Sequence, residues 1–204
     1  MTTRLYLLRH AETATPHVFH GAESDIHLSD RGHEQARAVA TLLRDLGPAT
    51  LISSPMLRAR QTAAFIAEVC GLSPRIEPDL HERKVGALQG TPNRPETGLW
   101  PDTLARWIAG ETHHAPDSSE SWDQVQARAM RVLNRLVQEA HPGPIALVAH
   151  GLLLKVSLLT ITGEGPAGWQ SFGPIRNTEI FTVDHSPAGW RLIAKPPLRP
   201  GGGP

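Results

Sequence analysis

The chain lacks the cysteines needed for an internal disulfide, because Cys70 is the only one among its 204 residues. Cys70 lies between Val69 and Gly71 at the end of a predicted helix, and we interpret it as a small buried apolar residue. An excess of charge is also missing, since 20 lysines and arginines balance 20 aspartates and glutamates. This balance gives no support for a nucleic acid or an anionic membrane surface as a partner.

Long apolar runs are absent as well. No segment approaches the roughly 20 apolar residues of a membrane span, and the run at residues 5–8 is too short for a signal peptide. We therefore expect a soluble, cytoplasmic protein without a membrane partner. The hydrophobic fraction of 40% is typical of a globular chain, and we predict one domain over residues 1–195. Residues 196–204 are rich in proline and glycine, which predicts a disordered tail.

Short apolar runs of strand length alternate with stretches in which apolar residues recur at helical spacing. The run at residues 145–149 is apolar throughout, which is typical of a central strand covered on both faces. The order of elements predicts an α/β fold, a three-layer sandwich in which helices flank a mostly parallel central sheet. The predicted strands are residues 5–8, 50–53, 75–77, 145–149, 179–183 and 190–194, and the predicted helices are residues 30–46, 55–70, 104–108, 121–140 and 152–162.

Residues 82–118 interrupt this order with eight glycines and prolines. An insertion so rich in turns usually covers a site or crosses between layers, and we predict a small cap insertion. Trp100, Trp107 and Trp122 lie in or near it and could line the wall of a pocket. Packing of the cap onto the sheet is the commonest role for tryptophans in such a place, so we do not assign them to a ligand.

Polar residues follow three of the predicted strands. Arg9 and His10 come directly after the first strand, Ser53-Ser54 after the second, and His150-Gly151 after the central one. Arg58 lies in the helix that follows the second strand, from which it can reach the same edge. Ligand sites of parallel sheets form beyond the carboxyl ends of the strands, so we expect these side chains to converge. Arginine matches phosphate oxygens and neutral imidazole can accept a phosphoryl group, which together indicate a phosphate pocket.

Six short motifs, in the right order, resemble those of the histidine phosphatase superfamily, the phosphoglycerate mutase-like enzymes. The first, Arg-His-Ala-Glu-Thr at residues 9–13, is similar to the Arg-His-Gly-Glu-Thr signature of that family. The resemblance covers residues 4 to about 183 and implies the family's fold. The motifs are residues 9–13, 28–36, 53–63, 82–90, 120–121 and 148–151.

The resemblance implies a role for each of five residues. His10 is expected to be the nucleophile that carries the phosphoryl group as phosphohistidine. Arg9, Arg58 and His150 are expected to surround the transferred oxygens and to offset charge in the transition state. Glu82 is expected to protonate the leaving group and then to activate water. No metal ion and no cofactor is expected, since arginine and histidine supply the positive charge.

Further substrate contacts are predicted less directly. Besides Arg9, Arg58 and His150, the candidates are Thr13, His20, Arg83 and Gly151. A second anionic group on the substrate would have several cations available, namely Arg83, Lys84, Arg94, Arg106 and Arg176. For most of these, a plain solvated charge is the alternative interpretation.

Two positions depart from the family's pattern. Ala11 replaces the customary glycine and adds a methyl group where the backbone approaches the phosphate, and we expect a local adjustment there. Pro16 stands where many members have an asparagine that helps to bind phosphate, so the loop at residues 14–22 must contribute differently or enclose the phosphate less. Because the catalytic residues remain, we expect activity to be retained.

Alternatives stay open at several points. Glu77 and Glu120 are other carboxylates that compete with Glu82 for the role of acid. His17 and His20, or His113 and His114, invite a metal site, but without further ligands we interpret them as loop histidines. His20 and His113 remain candidates for substrate contact.

The leading hypothesis is a metal-independent phosphatase that acts on a small-molecule phosphate ester. A phosphoglycerate mutase-type phosphoryl transfer is the first alternative, although the chain is short for the cofactor-dependent mutases. A non-catalytic protein that binds a phosphate ligand is the second. A sugar phosphate, a phosphoglycerate-type ester, ribazole phosphate or a phosphorylated nucleoside would all fit as ligand. The sequence allows a monomer or a homodimer.

Overall fold

A six-stranded sheet forms the middle layer of the structure, a computed structural model that describes residues 1–139 and 141–194. The spatial order of the strands is β3-β2-β4-β1-β5-β6. The β3–β2, β2–β4 and β4–β1 pairs are parallel, whereas β5 pairs antiparallel with β1 and β6. The predicted mostly parallel sheet is confirmed. Its strands are β1 (Thr3–Arg9), β2 (Thr50–Ser53), β3 (Pro74–Ile76), β4 (Ile145–Ala149), β5 (Ile180–Ser186) and β6 (Gly189–Ala194).

Helices cover both faces of this sheet. They are α1 (Asp30–Leu46), α2 (Leu57–Cys70), α3 (Leu99–Ile108), α4 (Trp122–Gln138), α5 (Gly151–Thr162) and α6 (Trp169–Phe172). Successive side chains of β1 point to opposite faces of the sheet and so contact different helices. Leu5 and Leu7 pack with residues of α4 and α5, while Tyr6 and Leu8 pack with residues of α1 and α2. The central strand β4 alternates in the same way, so the three-layer sandwich is confirmed.

The ends of the helices follow from local chemistry at most places. The Ser29 hydroxyl accepts the Gly32 N–H at 2.9 Å and caps α1, as the sequence predicts. Gly47 ends α1 in the left-handed conformation, at a φ of 64°. The start of α2 was predicted at residue 55, but Met56 is its N-cap.

Three predicted boundaries lie elsewhere in the structure. Helix α3 begins at Leu99, five residues before the predicted start, and forms most of the regular secondary structure of the cap. Strand β3 ends at Ile76, because the Glu77 carboxylate accepts the Asp79 N–H and starts a 3₁₀ turn. Helix α4 begins at Trp122, after a capping box, where the prediction was residue 121. Residue 140 and the predicted tail at 196–204 lie outside the described residues.

The cap packs onto the sheet through its tryptophans. Trp107 of α3 and Trp122 of α4 are fully buried, and their rings meet edge to face with centroids 6.0 Å apart. Both belong to the core that contains α4 and α5, which agrees with the predicted packing role. Over the described ranges, no helix is both long and apolar enough to span a bilayer.

Candidate active site

The carboxyl ends of three neighbouring parallel strands bring the predicted residues to one edge of the sheet. Arg9 at the end of β1 lies opposite Ala149 at the end of β4, and Ser53 of β2 lies opposite Val148. The next residues along β1 and β4 are His10 and His150, whose ring centroids are 5.1 Å apart. The convergence that the sequence predicts is therefore present.

A cavity of about 860 Å³ opens at this edge. Eight of the nine residues predicted for the site line it, from Arg9 of β1 to Gly151 of α5. The ninth, His150, is fully buried beside His10. Lys84, Arg106 and Arg176, which were candidates for a second anion, are not among the lining residues, whereas Arg94 is.

The ring of His10 is oriented for attack by Nε2. Its Nδ1 lies 2.7 Å from the Ala11 carbonyl oxygen, which can only accept, so Nδ1 carries the proton. The lone pair of the neutral ring is therefore on Nε2. Burial, with help from the Arg58 and Arg9 guanidinium groups, holds the pKa of His10 well below its usual value. A neutral, nucleophilic imidazole is the form that results.

A buried serine fixes the tautomer of His150. The Ser54 Oγ lies 2.7 Å from His150 Nε2 and accepts the Met56 N–H at 3.3 Å. The buried Ser54 hydroxyl has no other acceptor in the described ranges, so it donates its proton to Nε2, which leaves the proton of the neutral ring on Nδ1. Burial and the nearby Arg58 hold the pKa of His150 well below its usual value. The ring thus presents an Nδ1–H donor. The sequence places Ser54 at the end of the second strand, but its bond to His150 was not predicted.

Two arginines supply charge beside His10. The Arg58 side chain is almost fully buried and donates to the backbone oxygens of the 20–24 loop, while its Nε keeps no partner in the described part of the chain. Burial lowers the pKa of Arg58 to about 10, so it remains charged at neutral pH. Arg9 donates to the Ile175 carbonyl at 2.6 Å, and burial also lowers its pKa.

Arg9 packs closely against the glycine that follows His150. A side chain at Gly151 would place its Cβ 3.2 Å from Arg9 Nε and 3.4 Å from Arg9 Cζ, so the guanidinium would have to move. Gly151 is the first residue of α5, and the close approach lets Arg9 lie across the start of that helix. Gly151 lines the cavity, and its contact with the substrate stays a prediction.

Glu82 is the only one of the three competing carboxylates that lines the cavity. Glu77 is paired with Arg135, and Glu120 forms a 2.9 Å ion pair with Arg128 away from the cavity. The oxygens of Glu82 accept the N–H groups of Leu152 and Leu153, both at 3.0 Å. The carboxyl group therefore sits at the start of α5, directly after His150, and is held in one orientation.

Arg83 is fully buried, and most of its contacts hold the cap together. Its Nε donates to the Glu120 carbonyl at 2.7 Å, and its guanidinium lies 5.0 Å from the centre of the Trp107 ring. Only Nη1 lacks a partner in the described ranges, so a substrate contact by Arg83 remains a proposal. His20 and Thr13 line the same cavity, and His20 bonds with Thr15 and Ser24.

The two departures from the family's pattern have local explanations. Ala11 is fully buried and packs with Leu28 and Ala36, and it is not among the residues that line the cavity. Its methyl group therefore packs into the core. Pro16 does line the cavity, and its carbonyl accepts an N–H from Asn93 Nδ2 at 2.7 Å. Asn93 is a cap residue that lines the same cavity. No periodicity or motif in the irregular cap pointed to Asn93.

Metal ligation has no geometric support at the four loop histidines. Within residues 1–139 and 141–194, no three histidine, cysteine, aspartate or glutamate side chains are grouped closely enough to hold an ion.

The two buried histidines predict a pH-dependent stability. Because their pKa values lie below the ordinary 6.5, the unfolded chain binds protons near pH 6 that the folded chain does not. The free energy of unfolding is therefore expected to fall as the pH is lowered from 6.5, by up to about 1.4 kcal/mol per pH unit for each histidine. Urea unfolding at pH 7, 6 and 5.5 measures this slope, and the His10→Ala/His150→Ala double variant is expected to flatten it. An unchanged slope in the double variant contradicts the prediction.

Sequence comparison identifies relatives of this chain over nearly its whole length. The profile of the histidine phosphatase superfamily (branch 1) matches residues 5–195. A probable phosphoglycerate mutase GpmB of Erwinia tasmaniensis is 31% identical over 92% of this chain and 87% of its own length. A metal-independent phosphoserine phosphatase of Arabidopsis thaliana is 33% identical over 81% of this chain and 71% of its own length.

Solved structures share the fold. A mycobacterial glucosyl-3-phosphoglycerate phosphatase superposes with a TM-score of 0.81 at 27% identity, covering 96% of this chain and 99% of its own.

Proposed function

This chain belongs to the histidine phosphatase superfamily, and on that premise we propose that it hydrolyses a small-molecule phosphate monoester through a phosphohistidine on His10. The reaction needs no metal ion in this proposal, because arginine and histidine supply the positive charge. We also propose that the protein works in the cytoplasm.

One observation carries the proposal. Four buried side-chain nitrogens have no hydrogen-bond partner in the part of the chain that the structure describes, and they belong to Arg9, Arg58, Arg83 and His150. Unpaired buried donors are costly in a folded protein, and a group of them around one place indicates a site that binds an acceptor. Arg9, Arg58 and His150 lie around His10, close enough to act on its charge, so an anion with several oxygens fits there.

The first step transfers the phosphoryl group to the protein. The lone pair on His10 Nε2 attacks phosphorus, and the bond between phosphorus and the ester oxygen breaks. Glu82, in its protonated form, gives its proton to that leaving oxygen, so that an alcohol departs. Arg9, Arg58 and the Nδ1–H of His150 offset the charge on the remaining phosphoryl oxygens, a contribution typically worth about 2.7–4 kcal/mol for each donor removed.

The second step returns the protein to its starting state. Glu82, now a carboxylate, takes a proton from a water molecule that attacks the phosphorus of phosphohistidine. The bond between phosphorus and Nε2 breaks, its electron pair returns to the ring, and inorganic phosphate leaves. One carboxyl group thus serves as acid and then as base. Its position against the first turn of α5, the helix that follows His150, supports both roles.

Incubation with 3-phosphoglycerate distinguishes a phosphatase from a mutase and from a binding protein. In the presence of EDTA we expect the protein to release inorganic phosphate from p-nitrophenyl phosphate, and to form no 2-phosphoglycerate from 3-phosphoglycerate. Phosphorus NMR follows all of these products at once. Conversion of 3-phosphoglycerate to its isomer identifies a mutase. Binding of phosphate esters without release of phosphate, across a broad panel, identifies a binding protein.

A further inference from the structure

The backbone around Ala11 determines how the His10 ring is oriented. The Ala11 carbonyl accepts the Nδ1–H of His10 at 2.7 Å, so the direction of that carbonyl sets the direction in which Nε2 points. Residues 10–12 belong to no helix or strand, and a backbone segment of that kind keeps its conformation only where other bonds hold it. The orientation of the nucleophile therefore depends on what holds the two peptide units that follow His10.

The peptide unit between His10 and Ala11 is held at both of its polar groups. Its carbonyl oxygen accepts an N–H from Asn177 Nδ2 at 2.9 Å, and its N–H donates to Thr62 Oγ1 at 3.0 Å. The hydroxyl of Thr62, which is fully buried, donates its own proton to the Arg58 carbonyl at 2.8 Å, so a lone pair of the oxygen faces Ala11. Two side chains from distant parts of the chain thus fix the plane of this peptide unit.

The peptide unit between Ala11 and Glu12 is held by a third side chain. Its N–H donates to Gln35 Oε1 of α1 at 2.9 Å, and its carbonyl is the acceptor for the His10 ring. An acceptor on the N–H of a peptide unit polarises it and makes its carbonyl a stronger acceptor. Gln35 therefore acts on the ring through one peptide unit, both by fixing the carbonyl and by strengthening its bond to Nδ1–H.

A strained turn before β5 puts Asn177 in place. Thr178 has a φ of 59°, in the left-handed region that a β-branched residue rarely adopts. Its N–H donates to the Arg9 carbonyl at 3.0 Å, and the side chain of Asn177 donates to the next carbonyl, that of His10. Backbone strain of this kind persists where surrounding bonds impose it, and such positions cluster at functional sites. The turn thus holds two successive carbonyls at the nucleophile.

We propose that Gln35, Thr62 and Asn177 are positioning residues, which orient His10 Nε2 for attack on phosphorus by holding the two peptide units that follow it. The inference rests on the proposed function, because it takes His10 to be the nucleophile. The three side chains come from α1, from α2 and from the turn before β5, so three separate elements hold one ring. The groups assigned to the phosphate are other side chains, so attack and binding can be measured separately.

Inhibition by two anions separates positioning from binding. Inorganic phosphate binds through the charges of the site, whereas vanadate resembles the transition state and forms a bond between vanadium and Nε2. For Gln35→Met, Thr62→Val and Asn177→Leu, we expect the inhibition constant of vanadate to rise at least about tenfold, and kcat/KM for p-nitrophenyl phosphate to fall by a similar factor. The inhibition constant of phosphate is expected to change by less than about threefold. The assays use buffer without EDTA, because EDTA binds vanadate.

Two further variants serve as controls. Thr62→Ser keeps the hydroxyl and is expected to keep all three constants within about threefold of wild type. Thr160→Val is the matched control, because the Thr160 hydroxyl also donates to the carbonyl four residues earlier and accepts an N–H from another element, Gln126 Nε2, at 3.1 Å. Thr160 lies near the end of α5 and is not among the residues that line the cavity, so its loss is expected to leave the constants unchanged. Inhibition constants do not depend on the folded fraction, so a loss of stability alone does not imitate the expected result.

Two results overturn the inference. One is a vanadate inhibition constant that stays within about threefold of wild type in any of the three variants. The other is an equal rise in the inhibition constants of vanadate and phosphate, which assigns the side chain to anion binding instead. Hydrolysis of p-nitrophenyl phosphate by the wild-type protein separates these results from a failure of the proposed function. If the wild-type protein hydrolyses the ester and either result is found, only the positioning role is wrong. If it hydrolyses no phosphate ester, the proposed function is wrong and the inference falls with it.

Discussion

Replacement of His10 with alanine is expected to lower the turnover of p-nitrophenyl phosphate by on the order of 10⁴-fold or more. The loss follows from the geometry of the ring, whose Nδ1–H is bonded to the Ala11 carbonyl and whose Nε2 is left to attack. No other described side chain offers a neutral nitrogen in the same position. His150 is near, but its Nε2 is bonded to Ser54, and its Nδ1 is assigned a proton.

A second measurement ties this loss to covalent chemistry. Wild-type protein quenched in alkali during turnover is expected to carry a phosphoryl group, detected by intact mass, and to lose it when the sample is brought to acid pH. The His10→Ala variant is expected to carry none. His185→Ala is the matched control, because His185 lies on β5 opposite Thr3, at the far end of β1 from the site. Turnover that persists in His10→Ala, or a phosphorylated His10→Ala protein, contradicts the assignment of the nucleophile.

The part of the site at the edge of the sheet, formed by Arg9, His10 and His150, can be predicted from the sequence for a physical reason. Adjacent parallel strands place their carboxyl ends side by side. The residues that follow β1 and β4 must therefore lie close to each other, whichever loops come after them. Local signals sufficed to place those strands, because the apolar runs are short and clearly bounded. Arg9, His10 and His150 could therefore be brought together without knowledge of any long-range contact.

The part of the cavity between the cap and the loop that follows β1 could not be predicted in the same way. It depends on how two irregular segments join: Asn93 donates to the Pro16 carbonyl, and the Gln89 side chain accepts the Gly21 N–H. Glu23 accepts the N–H groups of Val85 and Gly86. These bonds join residues more than sixty positions apart and leave no periodic trace in the sequence. For the same reason the bond between Asn93 and Pro16 emerged only from the structure.

Replacement of Glu82 with glutamine is expected to lower kcat/KM in proportion to how much the leaving group needs a proton. For glycerol 3-phosphate, whose leaving alkoxide is strongly basic, we expect a loss of roughly 10²–10⁴-fold. For p-nitrophenyl phosphate, whose phenolate leaves without protonation, kcat/KM is expected to change by less than about tenfold. With the aryl ester, kcat is expected to fall and the phosphohistidine to accumulate, because the same residue activates water in the second step.

This dependence on the leaving group separates chemistry from structure, which matters because Glu82 also holds the start of α5 through the N–H groups of Leu152 and Leu153. The amide of glutamine cannot accept both bonds equally, so some loss of stability is expected in any case. Such a loss lowers the amount of folded protein and reduces kcat/KM for both esters by the same factor. Glu120→Gln, which breaks the buried pair with Arg128 outside the cavity, is the matched control for that outcome. Equal losses for the two esters in Glu82→Gln assign Glu82 a positioning role and leave the general acid to be found elsewhere.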